Sequence, residues 1–282
     1  MPDTAINTSE STTTPTAKSL KRTRQDSANG PTNGHSKGTN GENIKKERKN
    51  QFGEISDGHM KLGDWVTQWE NGRTKFHKSA VHPMLLKHID RLVEGKDKPR
   101  FYLPLCGKSV DLKWLLDRGY AVIGCEIAEL GIQQFFEEHD IKYKTEKMTE
   151  IEGTVYKGTD DDITIYSCDF FKLTSAIMSK VDCIWDRGSM AAINPEDRQK
   201  YSEVIIELMK PDSRYLLDMF QLEHHTFAGP PHNFEPEDAQ KLYGTKCTVE
   251  HLENVNVMCA WQKTWGTSYF YENDFFITPK SN

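Results

Sequence analysis

The sequence predicts an α/β fold: a mostly parallel sheet with helices on both faces. Three observations point there. Apolar runs alternate with amphipathic stretches between residues 83 and 220, the intervening helices are about ten residues long, and the chain closes with two alternating segments, CTVEHLENV and TSYFYENDFFIT, suited to an antiparallel pair. In order, VHPMLLKHIDRLVEG places Leu85, Leu86, Ile89, Leu92 and Val93 at helical spacing, with Pro83 in the first turn and Gly95 as a stop. Residues 101–105 and 121–127 read as strands flanking a helix over 110–118 that stops at Gly119. ELGIQQFFEEH is the next helix. The strands ITIYSCDFF and VDCIWD follow, then a helix from Asn194-Pro195 to Met209 and the strand RYLLDMF.

Composition divides the 282 residues in two. Residues 1–57 are rich in Ser, Thr, Asn, Gly and Lys and lack apolar periodicity, so they are expected to be a disordered, basic, polar tail. Residues 58–282 are long enough for one α/β domain. Residues 1–50 hold nine Lys and Arg against five acids, a balance of +4, which with −6 overall leaves −10 for the remainder. An acidic body excludes a nucleic-acid backbone as the main partner. The clusters KSLKRTR and KKERK have the composition of a nuclear address or of a solvated tail. No apolar run approaches the ~18 residues of a membrane span, and no secretory signal opens the chain, so a cytoplasmic protein is expected. The six cysteines are scattered, without a C-x-x-C pair, and four lie in apolar runs; reduced thiols fit better than a metal site or a disulfide framework.

The stretch RFYLPLCGKSVDLKWLLDRGYAVIGCEI, residues 100–127, carries the chemistry. A triphosphate-binding loop needs a glycine five residues before Gly107, where Tyr102 stands inside a strand, and a dinucleotide fingerprint needs more glycines than Gly107 alone. What remains is strand, tight turn at Leu105-Cys106-Gly107, helix, and a second strand ending in Glu126, nineteen residues after Gly107. A carboxylate there accepts hydrogen bonds from two ribose hydroxyls, and with no pyrophosphate to cradle, S-adenosylmethionine suits the unit. An ordinary βαβ unit with an acid at a strand end is the plain alternative.

Further stretches bear on the choice. WVTQWENGRTKFH sets Trp65 and Trp69 four apart on one helix face, ahead of Phe76, as a lid over adenosine and sulfonium or as core. SCDFF ends a strand with Asp169 and Phe170, placed to bond and flank an adenine or to open a helix. IWDRGSM puts Asp186 and Arg187 at the carboxyl edge of the sheet, where open α/β folds bind ligands, or in a surface ion pair. FAGPPHNF, with Pro230 and Pro231, is a connecting loop or the wall of an acceptor pocket; Trp261 and Trp265 precede the last strand as core or pocket.

From Trp65 to the C-terminus these motifs, with AGPP and KTWG, stand in the order of the thiopurine S-methyltransferase family, which the chain resembles. The resemblance implies a class I methyltransferase fold, Rossmann-like, with a seven-stranded sheet and an antiparallel last strand. It also implies S-adenosyl-L-methionine as methyl donor and a small aromatic or heterocyclic thiol as acceptor. Family cofactor contacts fall on the segment from Trp65 to Phe76, on Leu105, Glu126, Asp169, Phe170 and Arg187, and Phe76 also matches an acceptor contact. Trp261 stands where vertebrate members carry an arginine near the acceptor, and Asp169 where the family has serine. Loss of that cation points toward a small, neutral or soft acceptor. The expected roles are Asp186 as optional base, Arg187 as stabiliser of a thiolate, and Phe76, Arg187, Pro230, Pro231 and Trp261 around the acceptor, in a monomer without a metal. A halide, thiocyanate, selenium or arsenic acceptor, or a non-enzymatic adenosyl-binding regulator, are the rival readings.

Overall fold

The computed structural model describes residues 47–223 and 225–281. In chain order its strands are β1 (Arg100–Leu103), β2 (Ala121–Cys125), β3 (Tyr143–Lys147), β4 (Gly153–Gly158), β5 (Ile163–Cys168), β6 (Val181–Arg187), β7 (Met209–Leu222), β8 (Cys247–Asn256) and β9 (Phe270–Pro279). They form one sheet in the order β3-β4-β5-β2-β1-β6-β7-β9-β8. The five strands from β5 to β7 run parallel; β9 enters antiparallel to both β7 and β8.

The helices are α1 (Leu62–Glu70), α2 (Pro83–Val93), α3 (Val110–Leu116), α4 (Glu129–Glu138), α5 (Ser175–Met178), α6 (Ser189–Ala192), α7 (Arg198–Leu208), α8 (Pro236–Tyr243) and α9 (Ala260–Lys263). Leu85 and Leu92 of α2, Leu112 of α3 and Phe135 of α4 join Phe101, Trp185 and Leu216 in one buried layer. Tyr201 and Ile205 of α7 and Tyr243 of α8 join Tyr215, Leu217 and Phe275 in the other. Strand residues of opposite parity feed the two layers, as the two-residue repeat of a doubly covered sheet requires.

Two expectations change. The sheet has nine strands rather than seven, because the β3–β4 hairpin is added beyond β5. All five residues of β3 are exposed, so this edge strand carries no apolar alternation to announce it. The expected tail boundary at residue 57 also moves: within the expected tail, Lys49 bridges both Ile55 and Phe227, donates to Thr226 O at 3.1 Å and accepts from Ala228 N at 2.8 Å. Backbone pairing of this kind needs no apolar pattern, and within residues 47–57 only Phe52 and Ile55 are large and apolar. Residues 1–46 of the expected tail lie outside the described residues. The cysteines are all free thiols, five of them buried, and Cys259 is exposed.

Candidate active site

The turn after β1 is built on two left-handed residues, Leu105 (φ 43°) and Gly107 (φ 51°). Leucine at positive φ is a strained choice of the kind that collects at functional sites. A Cβ on Gly107 would lie 2.4 Å from the His77 ring and 3.0 Å from Trp69, so only glycine fits there. Glu126 closes the other side of the turn at the end of β2. Its Oε2 accepts from Gly107 N at 2.9 Å and its Oε1 from Ala128 N at 2.8 Å, while the side chain is only 7% exposed. Burial raises its carboxyl above the ordinary range, and the backbone N–H groups of Ala128 and Gly107 oppose the rise.

A cavity of about 330 Å³ opens over this carboxyl edge. Leu105, Gly107, Glu126, Asp169 and Phe170 line the half beside β1, β2 and β5; Pro230, Pro231, Trp261 and Trp265 line the half beside β7 and β9. Trp65, Trp69 and Phe76 roof it, with Phe76 edge-on to both indoles at 6.2 Å. Trp69 is buried against Gly131 of α4, where a Cβ would come within 2.7 Å of the indole, so a glycine seats the lid helix. Arg187 stands between the halves. Its Nη1 donates to Phe76 O at 2.9 Å, tying β6 to the segment that carries Phe76, and its Nε has no hydrogen-bond partner among the described residues. Asp169 caps the short turn after β5 through Phe171 N at 3.0 Å, and Phe170 stacks on Tyr201 at 4.6 Å, so both serve the core as well as the cavity wall.

Asp186 is the one expected site residue outside this cavity. Consecutive strand residues face opposite sides of a sheet. With Arg187 on the cavity side, Asp186 turns into the α7 layer, fully buried, where Oδ2 accepts from Tyr201 OH at 2.6 Å and Tyr215 OH at 2.8 Å. Burial pushes its carboxyl up against those hydrogen bonds. Its hydrogen bonds anchor the core rather than the cavity wall.

Residues 60–280 match the family model described as thiopurine S-methyltransferase. The chain belongs to the thiopurine S-methyltransferase family. It is 39% identical over 227 residues to a probable thiopurine S-methyltransferase of Danio rerio, covering 80% of this chain and 98% of that protein. With the thiopurine S-methyltransferase of Rattus norvegicus it shares 39% over 222 residues, 78% of this chain and 92% of the other. Among solved structures, an S-adenosylmethionine-dependent methyltransferase from Anabaena variabilis superposes with a TM-score of 0.53 at 13% identity, covering 80% of this chain and 98% of that one. The 1,6-didemethyltoxoflavin-N1-methyltransferase of Burkholderia thailandensis gives 0.51 at 14%, covering 78% and 87%. The fold is that of class I methyltransferases, with the β3–β4 hairpin added at one edge.

The protein is an S-adenosylmethionine-dependent S-methyltransferase, and its residues fit that donor: a glycine turn that a Cβ would fill, a buried carboxylate facing the cavity, and an aromatic roof. Lining residues of the methyltransferase that were not singled out from its sequence include His77, Phe220, Phe270 and Glu272. His77 directly follows Phe76 in the quoted lid motif. Burial, together with the charges of Arg187 and Lys108, pushes its imidazole down to about 4, so it is neutral at pH 7.

Glu272 belongs to a group of acids on the cavity face of β7 and β9. Asp218 and Asp274 are fully buried, and among the described residues no oxygen of either has a hydrogen-bond partner. Burial, with the charges of Glu272 and Asp274, raises Asp218 well above the carboxylate range; burial with Glu272 and Glu253 pushes Asp274 up to about 8. His82 Nε2 lies 3.7 Å from both Asp218 Oδ2 and Glu272 Oε1. Among the described residues no helix is long and apolar enough to cross a membrane.

Proposed function

We propose that this enzyme methylates the sulfur of a small aromatic or heterocyclic thiol, working as a monomer in the cytoplasm. The observation that carries the reading is the two-part cavity, a carboxylate-held glycine turn on one side and an aromatic chamber on the other, joined at Arg187. When bound, the donor supplies a methyl group on a sulfonium whose leaving group departs neutral and needs no proton. Glu126 and the turn hold the sugar. Trp65, Trp69 and Phe76 exclude water. Arg187 stabilises negative charge on the acceptor sulfur, a role that its unpartnered Nε leaves open. Alignment of this kind supplies up to roughly 7 to 11 kcal/mol in well-oriented systems. Trp261 and Trp265, 4.9 Å apart and edge-to-face, offer ring surfaces to a flat, uncharged acceptor. Free thiols fit a reducing compartment.

The test is calorimetry with S-adenosylhomocysteine, followed by labelled methyl transfer to an aryl thiol and to a panel of iodide, thiocyanate, selenite and arsenite. Glu126→Ala is expected to lose binding. Arg187→Ala is expected to keep binding and lose on the order of 100-fold in turnover. Wild-type behaviour in both variants, or methyl transfer to the inorganic panel alone, would refute the assignment.

A further inference from the structure

The acceptor half of the cavity contains a carboxylate that transfer to a bare thiolate does not require. Glu272 pairs with Phe220 across the β7–β9 ladder, two residues from Asp274 and on the same face as Arg187 and Asp218. Together with Phe220, Phe270, Trp261 and Trp265 it lines the chamber, its side chain 18% exposed. Among the described residues no donor reaches its carboxylate within hydrogen-bond distance; the nearest is His82 Nε2 at 3.7 Å. Of the other two cavity-lining carboxylates, Glu126 accepts from Gly107 N and Ala128 N on the donor side, and Asp169 accepts from Phe171 N. Asp186 faces the opposite layer.

His82, Asp218 and Glu272 also lie close enough to suggest a divalent cation, their ligand atoms all within 4.8 Å of one another. The ring tautomer argues otherwise. Met84 N donates to His82 Nδ1 at 3.4 Å, which leaves the ring hydrogen on Nε2, the atom that would have to bind the ion. Of this group of acids, Asp218 and Asp274 are closed off in the interior and Glu272 is the member that reaches the cavity.

We infer that Glu272 is a catalytic residue for heterocyclic thiones: its carboxylate accepts the ring N–H beside the C=S carbon and takes that proton as the sulfur is methylated. The thione sulfur forms the new S–CH₃ bond, and the donor's S–CH₃ bond breaks with its electron pair left on the departing thioether. A sulfur lone pair makes the new bond, the C=S π pair becomes a lone pair on that sulfur, the N–H electrons form C=N, and the proton moves to Glu272 and then to water at the cavity mouth. A thione becomes a strong N–H acid once its sulfur carries methyl, so a carboxylate is base enough. The inference rests on the S-methyltransferase reading and narrows it to acceptors with a ring N–H next to the sulfur-bearing carbon.

The experiment compares pyridine-2-thione, which has that N–H, with thiophenol, which lacks it, for wild type, Glu272→Gln and Glu272→Asp. Melting temperature and S-adenosylhomocysteine affinity serve as controls, and calorimetry measures thione binding to the protein loaded with S-adenosylhomocysteine. For Glu272→Gln, kcat/KM with the thione is expected to fall on the order of 100-fold and thione affinity to fall with it, while thiophenol changes less than about threefold; Glu272→Asp recovers part of the thione rate. Equal losses on both acceptors, no loss on the thione, or stoichiometric divalent metal in the purified wild type would overturn the role of Glu272. A wild type that methylates neither acceptor defeats the S-methyltransferase reading itself.

Discussion

Asp274 offers the sharpest quantitative test of the buried acids. It sits opposite Asp218 in the β7–β9 ladder, fully buried and, among the described residues, without a hydrogen bond to either oxygen. Its carboxyl, ordinarily at 3.8, is pushed up to about 8, first by burial and then by Glu272 and Glu253, with Lys87 pulling the other way. Between those two values the folded chain keeps a proton that the unfolded chain has released. Stability from this group is therefore full below about pH 4, declines as pH rises, and levels off above about pH 8. About four units at 1.36 kcal/mol each set an upper bound on the order of 5 kcal/mol, of which on the order of 3 falls between pH 5 and pH 8. Asp274→Asn keeps the shape of the neutral acid and cannot ionise. Urea unfolding at 25 °C from pH 5 to pH 9 should show wild type losing about 3 kcal/mol relative to Asp274→Asn across that window, with the variant the more stable at pH 8 and the urea slope unchanged. Parallel curves would show that Asp274 does not hold a proton in the folded chain, and the account of the acidic group would fail with it.

Two further outcomes follow from the geometry. Gly107→Ala drives a methyl into the His77 ring at a backbone angle of φ 51° and disturbs the N–H that Glu126 accepts. Stability should fall by about 1 to 3 kcal/mol and S-adenosylhomocysteine affinity at least tenfold by calorimetry; unchanged affinity would mean that the turn does not form the donor site. Asp186→Asn replaces the carboxyl group that the Tyr201 and Tyr215 hydroxyls bond. A loss on the order of 2 kcal/mol in denaturant unfolding is expected, with donor affinity retained; a rate loss at full stability would return Asp186 to the reaction.

How much of this was legible beforehand differs residue by residue. The pairing of Gly107 with Glu126 could be read because both ends belong to one βαβ unit, so nineteen residues of spacing determine which strand end meets which turn. The lid motif could be read for the same reason, as its indoles and Phe76 lie within twelve residues. Asp186 and Arg187 were less transparent. Alternation says that one of them must leave the cavity, but only the packing of α7, which brings the Tyr201 hydroxyl to Asp186, decides which. Glu272 was an unremarked acid in an alternating strand, and its place beside the acceptor depends on the antiparallel register with Phe220, some fifty residues away in the chain.

Local periodicity and short-range spacing thus determined α2, α3, α4 and α7, the parallel strands, the glycine turn beside Glu126 and the grouping of Trp65 and Trp69 with Phe76, because those features are set by neighbours along the chain. Tertiary structure alone decided the β3–β4 edge hairpin, the inward turn of Asp186, the seat of Trp69 on Gly131, and the convergence of His82, Asp218, Asp274 and Glu272. These are products of strand order and register. The free energy that selects them comes from burying whole faces of the sheet, and no window of neighbouring residues contains it.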